Sequence, residues 1–465
     1  MALLVFLANV TAGLGLGALV LRVLGLDRDI TPGEHWAVSF AIGFGVLGWL
    51  VFPIGIVGAL SAGPLWGLLL VSSLGVVFLR NSGLPVLREN PDAVAKALLA
   101  LLAGVMLLDL AEALVPPADA DSLAYHFNWP KRFIEAGTIA FIPQAWIGAV
   151  PLLVQMTYIP PLALGGETAL TLWTMASSWA GAALLVVFCR RHLSLNWSLA
   201  VALIYLTTPA IIFGGGSGQV EPKMTLFVMA GAWGVARSLE TGRLSFAVLA
   251  GLAAGFFAGA KYMGLLYVAA AGLVILYQRG GWRAGLTTGA VFGVAAIASG
   301  FQWYAWNAVH TGAPVFPMFF EWLGHDDLNY WTADYSVWFK RRCAISNATF
   351  PEVCGGFSAI PSSPPSTPCP CSRPDASVSA LSESWCCRSP FSEHGPCGNG
   401  CVKAACLFSP SCAPCFTPFG FLPGLRKEFA TLCPCCPCSW WLLRWPRFAS
   451  RISRKRGRLW RRQWD

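Results

Sequence analysis

The chain has 465 residues, and its composition argues against an ordinary soluble protein. Hydrophobic residues make up 55% of it and charged residues only 12%, whereas soluble domains carry roughly 25% charged residues. A chain so poor in charge cannot cover a globule with polar groups, so much of its surface must face lipid. The composition therefore disfavours a soluble enzyme, a disordered protein and a nucleic-acid-binding protein.

Apolar segments long enough to cross a bilayer recur along the first 342 residues. A spanning helix needs ~20 apolar residues. The long apolar segments are 2–21, 36–79, 168–189, 193–220 and 284–309, and the shorter ones are 97–115, 224–236, 244–260 and 262–278. Because 36–79 is long enough for two crossings, we predict an all-α polytopic membrane protein with about ten transmembrane helices.

Lysine and arginine residues fall on alternate loops between these segments. The basic loops contain residues 22–28, 80–96, 190–191, 237–243 and 279–283. Loops rich in Lys and Arg stay in the cytoplasm. We therefore predict a cell (inner) membrane protein whose extracytoplasmic loops contain residues 53–63, 116–167, 214–223, 261–262 and the chain from 302 onward.

The longest extracytoplasmic loop, 116–167, is predicted to carry helices that lie in the membrane interface. Residues 125–136 mix aromatic and charged residues at helical spacing, a pattern typical of such helices, and Gly137 is expected to end this one. A second apolar stretch, 147–165, contains three prolines, which favours a kinked surface helix over a full span.

Two carboxylates at the start of this loop are the first candidates for chemistry. Asp119 and Asp121 could bind a metal or act as a general base, although such pairs are also common in solvated loops. Glu221, Lys223 and Lys261 are predicted on the same side, where a charge near membrane depth costs on the order of 3 kcal/mol. Lys261 could equally extend its ammonium to the interface.

The sequence does not predict a histidine-based metal site or a nucleotide site. His126 is the only histidine of the 116–167 loop, and the other histidines lack metal-ligand spacing. The glycine-rich run at 214–218 lacks the Gly-Lys-Ser/Thr ending of a phosphate-binding loop. No cofactor is therefore assigned, and a divalent cation at the two carboxylates stays open.

The composition changes abruptly near residue 343. Residues 1–342 contain 18 basic and 17 acidic residues, whereas 343–465 contain 14 and 6, so the net charge of +9 divides into +1 and +8. Fifteen of the 16 cysteines lie between Cys343 and Cys438. We divide the chain into N-terminal transmembrane helices (1–96), a membrane core (97–342) and a mostly irregular tail (343–465).

Three interpretations of the tail stay open. Cys412/Cys415 and Cys433/Cys436 fit the spacing of a zinc ribbon, and a disulfide scaffold would leave one of 15 cysteines unpaired. The third is translation in a shifted reading frame, because the Leu codon CTG read out of frame gives the Cys codon TGC. We favour the third and predict that the tail is out of frame and disordered.

The order of the pieces resembles the GT-C membrane glycosyltransferases, in particular bacterial relatives of the protein mannosyltransferases and of the lipid A aminoarabinose transferases. Four segments carry the resemblance: 121–126 with 130–137 (DSLAYH, PKRFIEAG), 151–162 (PLLVQMTYIPPL), 251–264 (GLAAGFFAGAKYMG) and 306–317 (WNAVHTGAPVFP). Together they extend over about residues 100–340. The chain departs from the family in having three extra spans before the usual first helix and in lacking its C-terminal spans.

The resemblance implies a function and a set of site residues. The implied reaction moves a sugar, with inversion, from a polyprenyl-phosphate donor to an acceptor hydroxyl of a glycan, lipid or protein outside the membrane. Asp121 would be the general base and Asp119 its helper or alternate. The expected substrate-binding residues are Tyr125, His126, Lys131, Arg132, Glu221, Lys223, Lys261 and Tyr262, the cations among them for the phosphate. Without the missing spans, we expect this product to be inactive.

Two other functions stay open. The main alternative is a multi-pass transporter or flippase for a lipid-linked or small anionic substrate, which midplane charges and broken helices would favour. The other is a noncatalytic membrane scaffold, for which Asp121 would be dispensable.

Overall fold

The computed structural model describes residues 1–83, 90–141, 150–278 and 281–324, with Thr332, Val337 and Arg341 as single positions. About 80% of these residues are helical and none lies in a strand, so the described part is an all-α protein. The predicted boundary near residue 343 and the cysteine-rich tail lie outside the described residues.

The α-helices are, in chain order, α1 (Ala2–Val23), α2 (Pro32–Ile56), α3 (Ala62–Ser73), α4 (Ala93–Ala113), α5 (Asn128–Ala136), α6 (Leu153–Met156), α7 (Ile159–Cys189), α8 (Leu195–Thr207), α9 (Pro209–Gly215), α10 (Glu221–Thr241), α11 (Leu244–Ala260), α12 (Met263–Gln278), α13 (Trp282–Thr311) and α14 (Phe320–Leu323). A 3-10 helix, Leu74–Ser82, continues α3, and a π-helical turn, Ser122–His126, precedes α5.

Six helical segments in the described ranges are long and apolar enough to cross a membrane: Ala2–Val23, Pro32–Ile56, Ala62–Leu79, Ala93–Ala113, Ile159–Cys189 and Trp282–Thr311. The pair α8 and α9 forms a seventh if it is one span bent by 68°. Helices α11 and α12 have only 17 and 16 residues. The chain is therefore a helical membrane protein, and the number of ten spans stays a prediction.

One end of the helix bundle is held together by arginine contacts. Arg243, which follows α10, pairs with Asp29 and donates to the Gly25 carbonyl at 3.0 Å. Arg191, just after α7, pairs with the buried Glu34 at the start of α2. These contacts gather the loops 24–31, 190–194 and 242–243, which we call the basic end.

The opposite helix ends form a second group of loops. Leu60, after α2, donates its N–H to the Gly137 carbonyl at 3.1 Å, and Ile139 donates to Gly55 at 3.1 Å. Helix α2 runs from the basic end to this group, and α10 returns from it to the basic end. We call the group the rim; it comprises residues 55–60, 119–139, 214–223 and 261–262.

Small residues allow the helices to approach closely. A Cβ atom on Gly17 of α1 would lie 1.7 Å from the Ser39 carbonyl oxygen of α2, and one on Gly255 of α11 would lie 2.1 Å from Ser299 Oγ of α13. Such small-residue contacts are typical of helix pairs in membranes, where close packing replaces the hydrophobic effect. The largest hydrophobic cluster among the described residues includes residues from Ala12 to Trp303.

The second apolar stretch of the 116–167 loop differs from the surface helix expected there. Residues 151–161 are buried, and α6 packs against α2, with the Leu153 carbonyl 2.5 Å from where a Cβ of Gly48 would lie. Pro160 and Pro161 stand in the first turn of α7, where a missing N–H is tolerated. These two prolines therefore start a helix without kinking it. Because residues 151–161 are buried, the stretch enters the core instead of lying on the surface.

Candidate functional site

The two carboxylates of the 116–167 loop do different things. Asp119 Oδ1 accepts the N–H of Ser122 at 2.9 Å and so caps the turn Ser122–His126. Asp121 is exposed and accepts a hydrogen bond from Gln219 Nε2 at 3.1 Å. Asp119 is thus committed to the local fold, whereas Asp121 keeps most of its hydrogen-bonding capacity for a ligand.

A glycine brings the chain at 214–219 directly against this turn. Gly218 donates its N–H to Ser122 Oγ at 2.6 Å and accepts from the Tyr158 hydroxyl at 3.1 Å. A Cβ at position 218 would lie 2.8 Å from both His126 Cβ and Ser122 Oγ. Only glycine leaves room for this contact, which accounts for at least one residue of the glycine-rich run.

Lys223 is buried beneath the same segment. Its side chain is 0% exposed, and Nζ donates to the carbonyl oxygens of Gly214, Gly215 and Ser217 at 2.6, 3.2 and 2.9 Å. A lysine ammonium has three N–H donors, and all three are used here. Its assignment as a phosphate ligand stays a prediction, but these hydrogen bonds favour a different role.

Lys261 and Tyr262 lie at the short turn between α11 and α12. Lys261 Nζ is 2.5 Å from Glu221 Oε1, and both side chains are about half exposed. The Tyr262 hydroxyl donates to the Phe316 carbonyl at 2.5 Å and accepts from Asn307 Nδ2 at 2.8 Å. Lys261 is therefore accessible to an anion, while the Tyr262 hydroxyl is engaged in fixing the chain near residue 316.

His126 lies at the centre of these charged groups. It is 3% exposed, with Nδ1 2.9 Å from Gln155 Nε2. Burial lowers the pKa of His126 to about 4, and the charges of Glu221, Lys223, Asp121 and Lys261 also act on it. The imidazole is therefore neutral at pH 7, and charged residues from three separate chain segments surround it.

Tyr125, which precedes the buried His126, is a half-buried aromatic residue. Its ring centroid is 4.0 Å from that of His126. Burial, together with the carboxylates of Asp121, Glu221 and Asp119, raises the pKa of Tyr125 to about 12. The phenol therefore stays protonated at neutral pH and remains able to donate a hydrogen bond.

Lys131 and Arg132 are exposed on α5. The Arg132 guanidinium lies 5.1 Å from the centre of the Trp129 ring, and Trp129 and Phe133 form the buried face of the helix. Helix α5 ends at Gly137, which has a left-handed conformation. The two cations therefore lie on the exposed face of an amphipathic helix.

Several residues at the site were not singled out by the sequence. Ser122, Gln155, Tyr158 and Gln219 each hydrogen-bond within it. Their signals were weak because each is a common polar residue in an apolar or loop context. Ser122, Gln155 and Tyr158 lie within the segments 121–126 and 151–162 that carry the resemblance, and Gln219 follows the glycine-rich run, where glycine often marks a close backbone approach.

The described ranges contain no group of three or more His, Cys, Asp or Glu side chains that could hold a metal ion. Asp119 and Asp121 offer two carboxylates at most, and Asp119 already accepts a backbone N–H. The ionisable side chains described at the site are carboxylates, lysines, a neutral imidazole and a phenol. No protein-family model, curated protein or solved structure matches the chain.

Proposed function

We propose that this protein is a membrane glycosyltransferase. It transfers a sugar from a polyprenyl-phosphate donor to an acceptor hydroxyl on the extracytoplasmic side, with Asp121 as the general base. The observation that carries the proposal is that the exposed Asp121 carboxylate and the accessible ammonium of Lys261 both act electrostatically on the same buried residue, His126. A base and a phosphate ligand are the two groups that this reaction needs.

The chemistry follows from those two groups. Asp121 takes the proton of the acceptor hydroxyl while the oxygen of that hydroxyl forms a bond to the anomeric carbon of the sugar. The bond from that carbon to the phosphate oxygen breaks, and the polyprenyl phosphate leaves with the electron pair. Lys261 stabilises the charge on the leaving phosphate, and attack opposite the leaving group gives inversion.

The remaining predicted residues have supporting roles in this scheme. Tyr125 donates a hydrogen bond to the sugar, and neutral His126 supports Tyr125 and the turn that carries Asp121. Lys131 and Arg132 attract the anionic lipid along α5. Asp119 keeps its predicted part as a helper through the turn that it caps.

The proposed topology has ten spans in the cell (inner) membrane, with the rim outside. Support comes from the contacts that gather the arginine-bearing loops at one end and the candidate site at the other. Arginine-rich loops remain in the cytoplasm, so the opposite end faces out. Helices α10, α11 and α12 supply three of the ten spans in this proposal.

A transporter or flippase for a lipid-linked or small anionic substrate is the second candidate. The 68° bend between α8 and α9 favours it, because discontinuous helices often form transport sites. The accessible charges, however, lie at the rim and not in the middle of the bundle. A transporter would move a labelled lipid-linked sugar across proteoliposome membranes without chemical change, which separates the two functions.

The test measures consumption of synthetic polyprenyl phosphates carrying mannose or aminoarabinose by membranes that contain the protein. The chain is assayed as it stands and with the reading frame restored after the junction near residue 343. We expect transfer at least by the frame-restored protein, and Asp121→Asn should lower it by a factor of about 100 or more. Glu240→Gln, at the exposed basic end, is the matched control and should retain activity.

Two results would overturn the proposal. If neither form consumes either donor, the protein is not this kind of transferase. If Asp121→Asn keeps full activity at normal abundance, Asp121 is not the base.

A further inference from the structure

Lys223 is an unusual residue because a complete ammonium group is buried against backbone alone. All three Nζ–H donors point to carbonyl oxygens of residues 214, 215 and 217. Removing an ammonium from water costs several kcal/mol of free energy, and favourable interactions must offset much of this cost. Burial lowers the pKa of Lys223 to about 7, while the negative charges of Glu221, Asp119 and Glu112 nearby offset part of the cost, as do the charge-assisted hydrogen bonds.

The 214–218 segment, whose carbonyl groups Lys223 binds, has little intrinsic tendency to adopt one conformation. Four of the five residues at 214–218 are glycine, and glycine loses more conformational freedom on ordering than any other residue. The segment also has few side chains with which to pack. A cation that binds three of its carbonyls supplies the missing constraint.

The same segment contacts the turn that carries the proposed base. Gly218 donates to Ser122 Oγ at 2.6 Å, and the next residue, Gln219, donates its side-chain amide to Asp121 at 3.1 Å. A short path of hydrogen bonds and peptide bonds therefore leads from Lys223 to the Asp121 carboxylate. Lys223 itself makes no contact with Asp121 among the hydrogen bonds and ion pairs of the described residues.

We propose that Lys223 is a positioning residue, which fixes the 214–218 segment and through it the orientation of Asp121. Its effect on catalysis rests on the proposed function, but its effect on the segment does not. The proposal differs from the sequence-based expectation that Lys223 binds the donor phosphate. A phosphate ligand acts on substrate binding, whereas a positioning residue acts on the geometry of the base.

Hydrogen–deuterium exchange on the full chain in lipid nanodiscs tests the structural part. In Lys223→Met, which keeps the length of the side chain but has no donor, the peptides covering 214–219 and 119–126 should exchange about tenfold faster, as expected when hydrogen bonds to a charged group are lost. Lys261→Met removes an exposed ammonium and should leave both peptides within about twofold of the wild type. Unchanged exchange in folded Lys223→Met would overturn the proposal.

Protection of α1 reports whether the variant has folded. If Lys223→Met also loses protection there, the comparison is made with Lys223→Gln, which retains two N–H donors without a charge. Faster exchange confined to the two peptides in that variant supports the proposal. Its absence overturns the proposal.

The kinetic part uses whichever form of the protein transfers sugar. Lys223→Met should lower kcat about tenfold or more and leave the KM for the donor within about twofold, because binding is intact and the base is misplaced. Lys96→Met, exposed on α4, should change neither value. A raised donor KM with unchanged kcat would overturn the proposal in favour of direct phosphate binding. If the wild type transfers nothing, the proposed function fails, while the exchange measurement still decides the role of Lys223.

Discussion

Gly218 donates its backbone N–H to Ser122 Oγ at 2.6 Å, although 96 residues separate the two in the chain. This hydrogen bond joins the glycine-rich segment before α10 to the loop that begins after α4. Because Ser122 directly follows Asp121, the position of the segment decides where the carboxylate lies. The rim is therefore one connected structure and not a set of independent loops.

The first prediction concerns Gly218→Ala. A Cβ at this position would lie 2.8 Å from His126 Cβ and Ser122 Oγ, so the segment must move away from the turn. We expect the protein to lose about 1–3 kcal/mol of stability, and any transfer activity to fall on the order of 100-fold through misplacement of Asp121. Thermal unfolding in detergent and the donor assay measure the two effects.

The matched control for this substitution is Gly104→Ala in α4. No atom lies within 4 Å of a Cβ at that position, and alanine favours a helix over glycine. This variant should be as stable as the wild type or slightly more so. Equal effects of the two substitutions would show that the contact at Gly218 has no special importance.

The second prediction is a loss of stability in mild acid that depends on His126. The pKa of His126 is about 4 in the folded protein because of burial, below about 6.5 in an unfolded chain. Above pH 6.5 the imidazole is neutral in both states. As the pH falls from 6.5 to 4, the unfolded chain binds a proton first, so stability falls by up to about 3 kcal/mol.

The melting temperature between pH 4 and 7 measures this effect. Replacing His126 with Asn should make the melting temperature depend less on pH in that range. Lost packing would lower the melting temperature by the same amount at every pH. His192→Asn, exposed near the basic end, should leave the slope as it is in the wild type. An unchanged slope in the His126 variant would mean that other groups cause the acid sensitivity.

The third prediction concerns the buried ion pair at the basic end. Glu34 is 1% exposed and accepts hydrogen bonds from Arg191 and from Trp233 Nε1, the latter at 3.1 Å. Arg191→Met would leave this carboxylate buried without its cation, and we expect a loss of about 3 kcal/mol. Arg22→Met, which breaks the more exposed pair with Asp27, should cost less than about 1 kcal/mol.

A double substitution separates the ion pair from simple packing. If the uncompensated charge is the cause, adding Glu34→Gln to Arg191→Met should recover part of the lost stability. A further loss of stability in the double variant would contradict this explanation.

Much of the helical arrangement could be predicted from local patterns in the sequence. The long apolar segments became helices, and Gly242 and Gly312 end α10 and α13 in left-handed conformations. These features depend on composition and on the conformational freedom of glycine, both of which can be read within a short window. Helix lengths are harder to read from the sequence, since α11 and α12 have 17 and 16 residues and are shorter than a typical span.

The organisation of the candidate site could be predicted only in part. Asp121 is indicated by its pairing with Asp119 in the longest loop and by the resemblance, and Lys261 by its place in a short turn between two apolar segments. The burial of Lys223 and the contact between Gly218 and Ser122 could not be foreseen, because they depend on packing between segments far apart in the chain. A lysine beside an apolar helix has the same local pattern whether it reaches water or turns inward.

The fourth prediction concerns the gene that encodes the tail. Fifteen cysteines between Cys343 and Cys438 would arise if leucine codons were read in a shifted frame. Resequencing should find a single-base insertion or deletion near codons 326–343, and the corrected frame should encode further apolar segments. An intact frame, together with one bound zinc ion per chain, would instead support a genuine cysteine-rich domain.

The fifth prediction tests the orientation on which the enzymatic proposal depends. Alkaline phosphatase fused after Gly214 should be active, because the proposed topology places the rim on the oxidising exterior, and the same reporter fused after Arg243 should be inactive. The two fusion points lie on either side of α10, so the pair also tests whether this helix crosses the membrane. Equal activities would show that α10 does not cross the membrane. Reversed activities would show that Asp121 faces the cytoplasm, where it could not reach an extracytoplasmic donor.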